Sequence, residues 1–301
     1  AEDISRSAML VGINWDWETY PDYMDAVDKM PKGINYAGYI GHSALRTYVM
    51  GERAFEEEAN ESDMEQMKAA VQEAVRAGAM GFSTSRSPSH LTSDDRFVAS
   101  RIGSDEEVRD LVMAMGETGA GIFQLAMERG EMQKMMGVYR SLADLSKKSG
   151  RPVTFGSLSR KKYPGQWKAL YDIIEEENQL GARIWTQVHS REINSILSFQ
   201  TATPFDSWDV WKDFRKLPLD EQLGKLKSDA SLKQKLIDIA DRPYDGPEIV
   251  GAEARPPEWD MFYHMDKIRL PHPSIAQIGN CLLYTSPSPR DQRGSGLPAS
   301  A

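Results

Sequence analysis

The sequence predicts an α/β fold of parallel strands, best described as a partial (β/α)8 TIM barrel truncated at both ends. Three observations predict it: short apolar runs alternate with amphipathic helical segments, capping motifs begin the helices, and glycines end them. A parallel pair of strands needs a crossover, usually a helix, so this alternation indicates successive βα units. With 301 residues, 40% of them hydrophobic, the chain is long enough for a large domain of this kind.

Five strands are predicted in chain order, each a short apolar run next to a glycine or a polar turn. They cover residues 34–40, 79–84, 121–127, 153–157 and 182–188. Five strands are too few to close an eight-stranded barrel but match its central arc. An open doubly wound sheet is the alternative. We disfavour it because Gly41-His42-Ser43, after the first strand, is not the glycine-rich phosphate loop of such folds.

Helices are predicted between these strands. Ser62-Asp-Met-Glu65 and Ser104-Asp-Glu-Glu107 match the capping box, in which a serine and a glutamate three residues later close the first helical turn. The first motif begins a helix to about Ala77, whose apolar residues recur every three or four positions. The second helix ends before Gly119. Further helices are predicted over about 131–148 and 166–180.

The chain is predicted to have three segments. Residues 1–203 contain the central βα units, and residues 204–280, with short helices near 219–226 and 232–241, form helical decoration or a late barrel segment. Residues 281–301 lack helical and strand periodicity. The run from Cys281 to Asp291 resembles a translated sequencing adapter, so we expect a non-native tail. We also expect the natural protein to continue beyond both ends, since the chain opens at Ala1 rather than at methionine.

Composition excludes several functional classes. A net charge of −9 argues against a nucleic-acid-binding protein, which needs basic surface. No apolar run is long enough to span a bilayer, and no signal peptide is visible, which favours a cytoplasmic location. The single cysteine, Cys281, permits neither an internal disulfide nor a multi-thiolate metal site. The sequence does not predict an oligomeric state.

Polar residues follow the predicted strands, at the edge where parallel barrels place their active sites. His42 could bind a metal or an anion or transfer a proton, or it could hydrogen-bond a neighbouring loop. Arg191, which follows Gln187 and His189, could clamp a substrate carboxylate with two hydrogen bonds or pair with a surface acid. His90 lies in a loop rich in serine and proline, and we expect it to be solvated.

Common catalytic motifs are missing from the printed sequence. It contains no H-x-H, H-x-x-H or H-E-x-x-H pattern, which are the usual spacings of histidine metal ligands. It also contains no Gly-x-Ser-x-Gly, so a serine hydrolase with a nucleophile elbow is not predicted.

Two sequence blocks resemble the D-aminoacylases, which are N-acyl-D-amino-acid deacylases of the amidohydrolase superfamily. They are Gly41-His-Ser-Ala-Leu-Arg46 and Gly78-Ala-Met-Gly-Phe-Ser-Thr84, with a weaker match to about residue 200. The resemblance implies a metal-dependent TIM barrel and a small-molecule substrate, an N-acyl amino acid or related amide. It implies that a zinc-activated water attacks the acyl carbonyl and that an aspartate handles the proton. The candidate substrate-binding residues are His42, Arg46, Gln187, His189 and Arg191.

This sequence departs from the family at the zinc ligands. The family's H-x-H would precede Ala1 and its aspartate would follow Asn280. Two further histidines belong at Leu125-Ala126-Met127 and at Ser157-Leu158-Ser159, where alanine cannot bind zinc and serine rarely does. No metal ligand is therefore identified. Two interpretations stay open: a hydrolase of non-peptide C–N bonds with a rebuilt site, or a catalytically altered or metal-free relative that acts as a binding protein.

Overall fold

The computed structural model describes residues 6–87, 90–92, 96–126, 132–157, 165–188, 190, 196–201, 203–242, 259–265 and 272–285. The chain divides into two compact units, Ala1–Ile193 and Asn194–Ala301. This division falls slightly before the position predicted at 203. The three-segment division of the sequence stays a prediction.

The first unit contains a parallel sheet, and the part of the chain that the structure describes supplies five strands to it. These are β1 Ile40–Gly41, β2 Gly81–Ser85, β3 Ile122–Ala126, β4 Val153–Gly156 and β5 Ile184–Gln187. Each strand pairs in parallel with the next along the chain, in the order β1-β2-β3-β4-β5. A doubly wound sheet reverses its strand order at a switch point, whereas this order runs one way, as in an arc of a barrel.

The first strand is much shorter than predicted. Only Ile40 and Gly41 pair with β2, although residues 34–40 have the composition of a strand. Ile34 is 82% exposed, and the hydroxyl of Tyr36 hydrogen-bonds that of Tyr23 instead of lying over the sheet. A short apolar run thus indicated the strand, but its length was wrong because strand length depends on the partner strand.

The first unit has seven helices within its described residues. They are α1 Arg6–Gly12, α2 Tyr20–Asp28, α3 His42–Met50, α4 Glu61–Arg76, α5 Asp105–Glu117, α6 Met132–Ser149 and α7 Gln166–Gln179, with 3-10 turns at Gly51–Phe55 and Ala99–Arg101. Helices α4 to α7 each pack against the next, so they form one layer. The four predicted helices are confirmed to within one or two residues at each end.

The two predicted capping boxes have different outcomes. At α5 the Ser104 hydroxyl accepts a hydrogen bond from the Glu107 amide at 3.0 Å, as predicted, but the Glu107 side chain does not return to the Ser104 amide, so the box is only half formed. At α4 the capping residue is Asn60, not Ser62: Asn60 Oδ1 accepts from the Asp63 amide at 3.0 Å, and Asp63 Oδ2 accepts from the Asn60 amide at 3.1 Å. Helix α4 therefore begins before Ser62. Because Ser62 lies inside the helix, its side chain has no capping function.

The two faces of the sheet differ in chemistry. The face toward the helices is apolar: Phe82, Phe123, Val153 and Ile184 form one buried row across β2 to β5. Burying each such side chain fully contributes about 1.5–3 kcal/mol. On the opposite face, here called the inner face, the neighbouring row is Ser83, Gln124, Thr154 and Trp185, followed toward the carboxyl ends by Ser85, Ala126, Gly156 and Gln187. The inner face of the described strands is thus mainly polar or small.

Gly81 permits the close approach of β2 and β3. Its φ is +148°, and a Cβ there would lie 1.9 Å from the Ile122 carbonyl oxygen. Because that neighbour is backbone, a larger residue would separate the two strands.

The second unit contributes four described helices, α8 Asp209–Arg215, α9 Leu219–Ser228, α10 Ala230–Ala240 and α11 Ile275–Thr285. Helices α9 and α10 were predicted. Trp211, Phe214 and Leu236 form its small core, where the Trp211 indole donates to the Leu236 carbonyl at 3.1 Å. Helix α11 crosses the predicted boundary, so the expectation that regular structure stops at residue 280 was wrong for 281–285; residues 286–301 lie outside the described residues.

Among the helices that the structure describes, none is both long and apolar enough to cross a membrane.

Candidate functional site

The carboxyl ends of the strands place one predicted site residue on the inner face. Gln187 is the last residue of β5, is exposed, and donates from Nε2 to the Thr154 hydroxyl at 3.2 Å. His189 and Arg191 follow it in the chain but lie outside the described residues. The predicted grouping of these three side chains therefore stays a prediction.

His42 lies on the other side of the sheet. It is the first residue of α3 and is 1% exposed. Its Nδ1 is 2.8 Å from the Thr84 hydroxyl, its Nε2 is 2.6 Å from Glu107 Oε1, and its ring meets Phe82 edge to face. Since Phe82 and Thr84 face the helices, His42 fills the layer between β2 and α5.

Arg46, one turn later on α3, is also buried, and the structure brings it together with His42 through Glu107. Its Nη1 donates to Glu107 Oε2 at 2.5 Å, and its Nη2 donates to the carbonyls of Ala54 at 3.2 Å and Glu57 at 2.6 Å. These contacts are with protein groups. The substrate-binding roles of His42 and Arg46 stay predictions, and Gln187 lies apart from both, beyond β3 and β4.

Burial and charge determine the protonation of this cluster. Burial lowers the pKa of His42, which outweighs the hydrogen bond and negative charge of Glu107 that raise it. Burial would raise the pKa of Glu107, but hydrogen bonds from His42 and Arg46 and their charge hold it below its ordinary value. A neutral imidazole and an ionised carboxylate follow. Because a carboxylate only accepts, His42 Nε2 donates to Glu107, and Nδ1 accepts from Thr84.

Glu107 was missed as a site residue by the sequence. It matched the capping motif of α5, where a glutamate side chain returns to the helix start. In the structure its carboxylate turns inward instead and is 4% exposed. The available signal was that Ser104 is followed by three acidic residues, of which only one is needed to cap the helix.

A second polar pair lies at the carboxyl end of β2, on the inner face. Ser85 Oγ is 2.5 Å from His90 Nδ1 and accepts a hydrogen bond from the Ser87 amide at 3.2 Å. His90 was expected to be solvated, but it is half-buried and hydrogen-bonded to Ser85. The signal available in the sequence was the short separation of Ser85 and His90, which lie five residues apart across the end of a strand and the loop that follows it.

The described residues do not fit the zinc site that the family resemblance implies. Ala126, at the end of β3, offers only a methyl group. Ser157 is buried, and a serine hydroxyl rarely binds zinc. Over the described ranges, no three His, Cys, Asp or Glu side chains are grouped so that they could hold a metal ion.

Comparison with models of known protein families gives no match. Uncharacterized proteins of Mycobacterium bovis and Mycobacterium tuberculosis are 31% identical over 113 residues, which are 35% of this chain and 18% of theirs. A D-aminoacylase of Alcaligenes xylosoxydans xylosoxydans is 34% identical over 73 residues, 24% of this chain and 15% of that protein. The matched segments thus span less than a fifth of these relatives.

Solved structures with a similar fold include D-aminoacylase, described as defining a novel subset of amidohydrolases. It has a TM-score of 0.50 and 20% identity, over 64% of this chain and 38% of that one. The N-acyl-D-glutamate deacylase of Bordetella bronchiseptica, complexed with zinc and a phosphonate inhibitor, has a TM-score of 0.50 and 19% identity, over 61% and 36% of the two chains. At this identity the likeness concerns the fold. The described parallel sheet and its helices share the α/β fold of the corresponding part of these structures, as predicted.

Proposed function

We propose that this chain is part of an amidohydrolase-type hydrolase that cleaves a non-peptide C–N bond, the amide of an N-acyl amino acid or a related small molecule. The observation that supports it is the one-directional parallel arc, whose fold is similar to that of D-aminoacylase. The local sequence similarity to a D-aminoacylase supports the same substrate class. In such a barrel the carboxyl ends of the strands hold the substrate.

The polar groups at this end suit an acylated amino acid. Gln187 offers both an amide donor and an acceptor to the substrate amide. Arg191 offers two parallel donors for the substrate carboxylate, and His189 precedes it by two residues in the chain. His42 and Arg46 support this edge from behind β2. No step of the reaction is assigned to zinc, because Ala126 and Ser157 do not supply ligands for it.

Ala126 and Ser157 also favour a second candidate function, that of a binding protein. A barrel that has lost its ligands at the ends of β3 and β4 can keep the pocket and bind the amide without cleaving it. If the protein has this function, it binds N-acyl amino acids but does not hydrolyse them.

The test measures the release of amine from the D and L enantiomers of N-acetyl amino acids by the purified protein. Elemental analysis measures the metal content of the same preparation. We expect turnover, and a KM for the wild type about 10- to 100-fold below that of R191A, since a charged hydrogen bond contributes about 1.5–3 kcal/mol. R183A, which removes an exposed arginine at the other end of β5, is the control and keeps the wild-type KM. Calorimetric binding of the same compounds without amine release would instead establish the binding protein. If the protein neither binds these compounds nor releases amine from them, both the hydrolase and the binding-protein proposals are overturned.

A further inference from the structure

The Ser85–His90 pair has the arrangement of a nucleophile and its base. Ser85 is the last residue of β2, on the inner face, and both side chains are partly exposed. Its hydroxyl oxygen is 2.5 Å from His90 Nδ1, within the distance at which an imidazole removes a hydroxyl proton. The pair is thus accessible from the side of the sheet where a barrel holds its substrate.

The surrounding backbone holds this pair in place. The Ser100 hydroxyl donates to the Ser85 carbonyl at 3.1 Å, and the Arg86 amide donates to the Ala126 carbonyl at 2.8 Å. The Arg86 guanidinium donates to the carbonyls of Gly103, at 2.6 Å, and Ser104, at 3.0 Å. The Ser85 carbonyl and the next residue, Arg86, are therefore anchored, which favours a fixed geometry for catalysis.

The residues of the neighbouring strands that lie beside Ser85 are small. Its register partner on β3 is Ala126, and Gly156, at the end of β4, has no side chain and is exposed. Within the described strands, the residues beside Ser85 on β3 and at the end of β4 therefore carry no side chain larger than a methyl group. Ala126, which cannot bind zinc, and the Ser85–His90 pair thus lie at the same edge of the sheet, the carboxyl ends of β2 and β3.

We propose that Ser85 is a nucleophile and His90 its general base in the proposed amide hydrolysis, so this inference rests on the proposed function. Ser85 Oγ attacks the acyl carbon, an O–C bond forms, and His90 Nδ1 takes the hydroxyl proton. The imidazolium gives that proton to the amine nitrogen as the C–N bond breaks, leaving an acyl-serine ester. Water then attacks the ester carbon, its proton passes through His90 to Ser85 Oγ, and the carboxylic acid leaves.

The test uses a fluorophosphonate, which forms an O–P bond with an activated serine and releases fluoride. The full-length protein is incubated with it, and the adduct is located by intact-mass measurement and peptide mapping. We expect one adduct, on Ser85, that is lost in S85A. Removing the base in H90Q should slow labelling by about 100- to 10,000-fold. S83A, which removes another hydroxyl of β2, is the control and is labelled like the wild type.

The wild-type measurement decides the proposal even where a variant folds poorly. No adduct on Ser85, or labelling of H90Q at the wild-type rate, would overturn the pair. Amide turnover without an adduct would also overturn it while leaving the proposed function intact. An adduct on Ser85 without amide turnover would support the pair and count against amide hydrolysis.

Discussion

His42, Thr84, Glu107 and Arg46 form a buried polar cluster behind β2. An ionised carboxylate inside a protein is costly unless paired, and Glu107 is paired on both oxygens, with His42 and with Arg46. Removing one partner of a buried pair costs about 3–5 kcal/mol, since the other charge is left without compensation. The cluster therefore links α3, β2 and α5. Replacing one of its charged side chains destabilises the fold unless its partners are replaced as well.

This cluster makes the free energy of unfolding fall with acidification. The pKa of His42 is lower in the folded chain than the ordinary histidine value of 6.5. Below that value the unfolded chain binds the proton that folded His42 refuses, so stability is lost as pH falls, by up to about 1.4 kcal/mol per pH unit. The lowered pKa of Glu107 adds a loss of the same sign at lower pH.

Urea unfolding between pH 8 and pH 5 measures this dependence. H42Q should flatten the loss that begins near pH 6.5, because glutamine can still donate to Glu107 but takes up no proton. H264Q, at an exposed histidine, is the control and should follow the wild type. An unchanged slope in H42Q would contradict the assignment.

Among the elements, helix starts show how one motif can have two outcomes. Ser62 and Ser104 both precede a glutamate by three residues, yet only Ser104 caps its helix. At α4, Asn60 lies two residues earlier and takes the position with Asp63 as its reciprocal partner. A local pattern predicted both helices, but it could not choose between two candidate capping residues that lie two positions apart.

We expect N60A to lower the free energy of unfolding by about 1 kcal/mol, because the Asp63 amide at the start of α4 loses its cap. S62A should change it by less than about 0.5 kcal/mol, since Ser62 is an exposed position within the helix. Denaturant unfolding of both variants at pH 7 provides the comparison. The opposite ranking would restore Ser62 as the capping residue.

For the whole molecule, the described sheet has two edges, β1 and β5. Near the β5 edge, Trp185 is 50% and Val188 is 64% exposed. An unpaired edge strand with apolar neighbours can pair with another copy of itself. The 301-residue chain, expressed as printed, is therefore expected to self-associate.

Sedimentation velocity over a range of concentrations measures this association. V188K should reduce it, because a lysine beside the edge repels a second copy. L180K, which places the same charge at an exposed leucine after α7, is the control and should associate like the wild type. A monodisperse monomer at all concentrations would be inconsistent with an open edge.

The sequence by itself determined the order of the five strands and of four of the seven helices described in the first unit. Helical periodicity and apolar runs arise from neighbours along the chain, so four helices and five strands could be predicted from local pattern. It also placed Gln187 at a strand end. The alternation of strands and helices and the missing glycine-rich phosphate loop favoured the barrel, and the resemblance of Gly41–Arg46 and Gly78–Thr84 to a known family implied the same fold.

Only the tertiary structure decided which side of the sheet each polar residue occupies. His42 and Ser85 both follow or end a strand, yet one is buried against the helices with Glu107 and the other lies on the inner face with His90. Side chains alternate between faces with a period of two, so a shift of a single residue exchanges buried and accessible positions. Contacts across 65 residues, such as His42 with Glu107, depend on strand register and helix packing, which no local pattern contains.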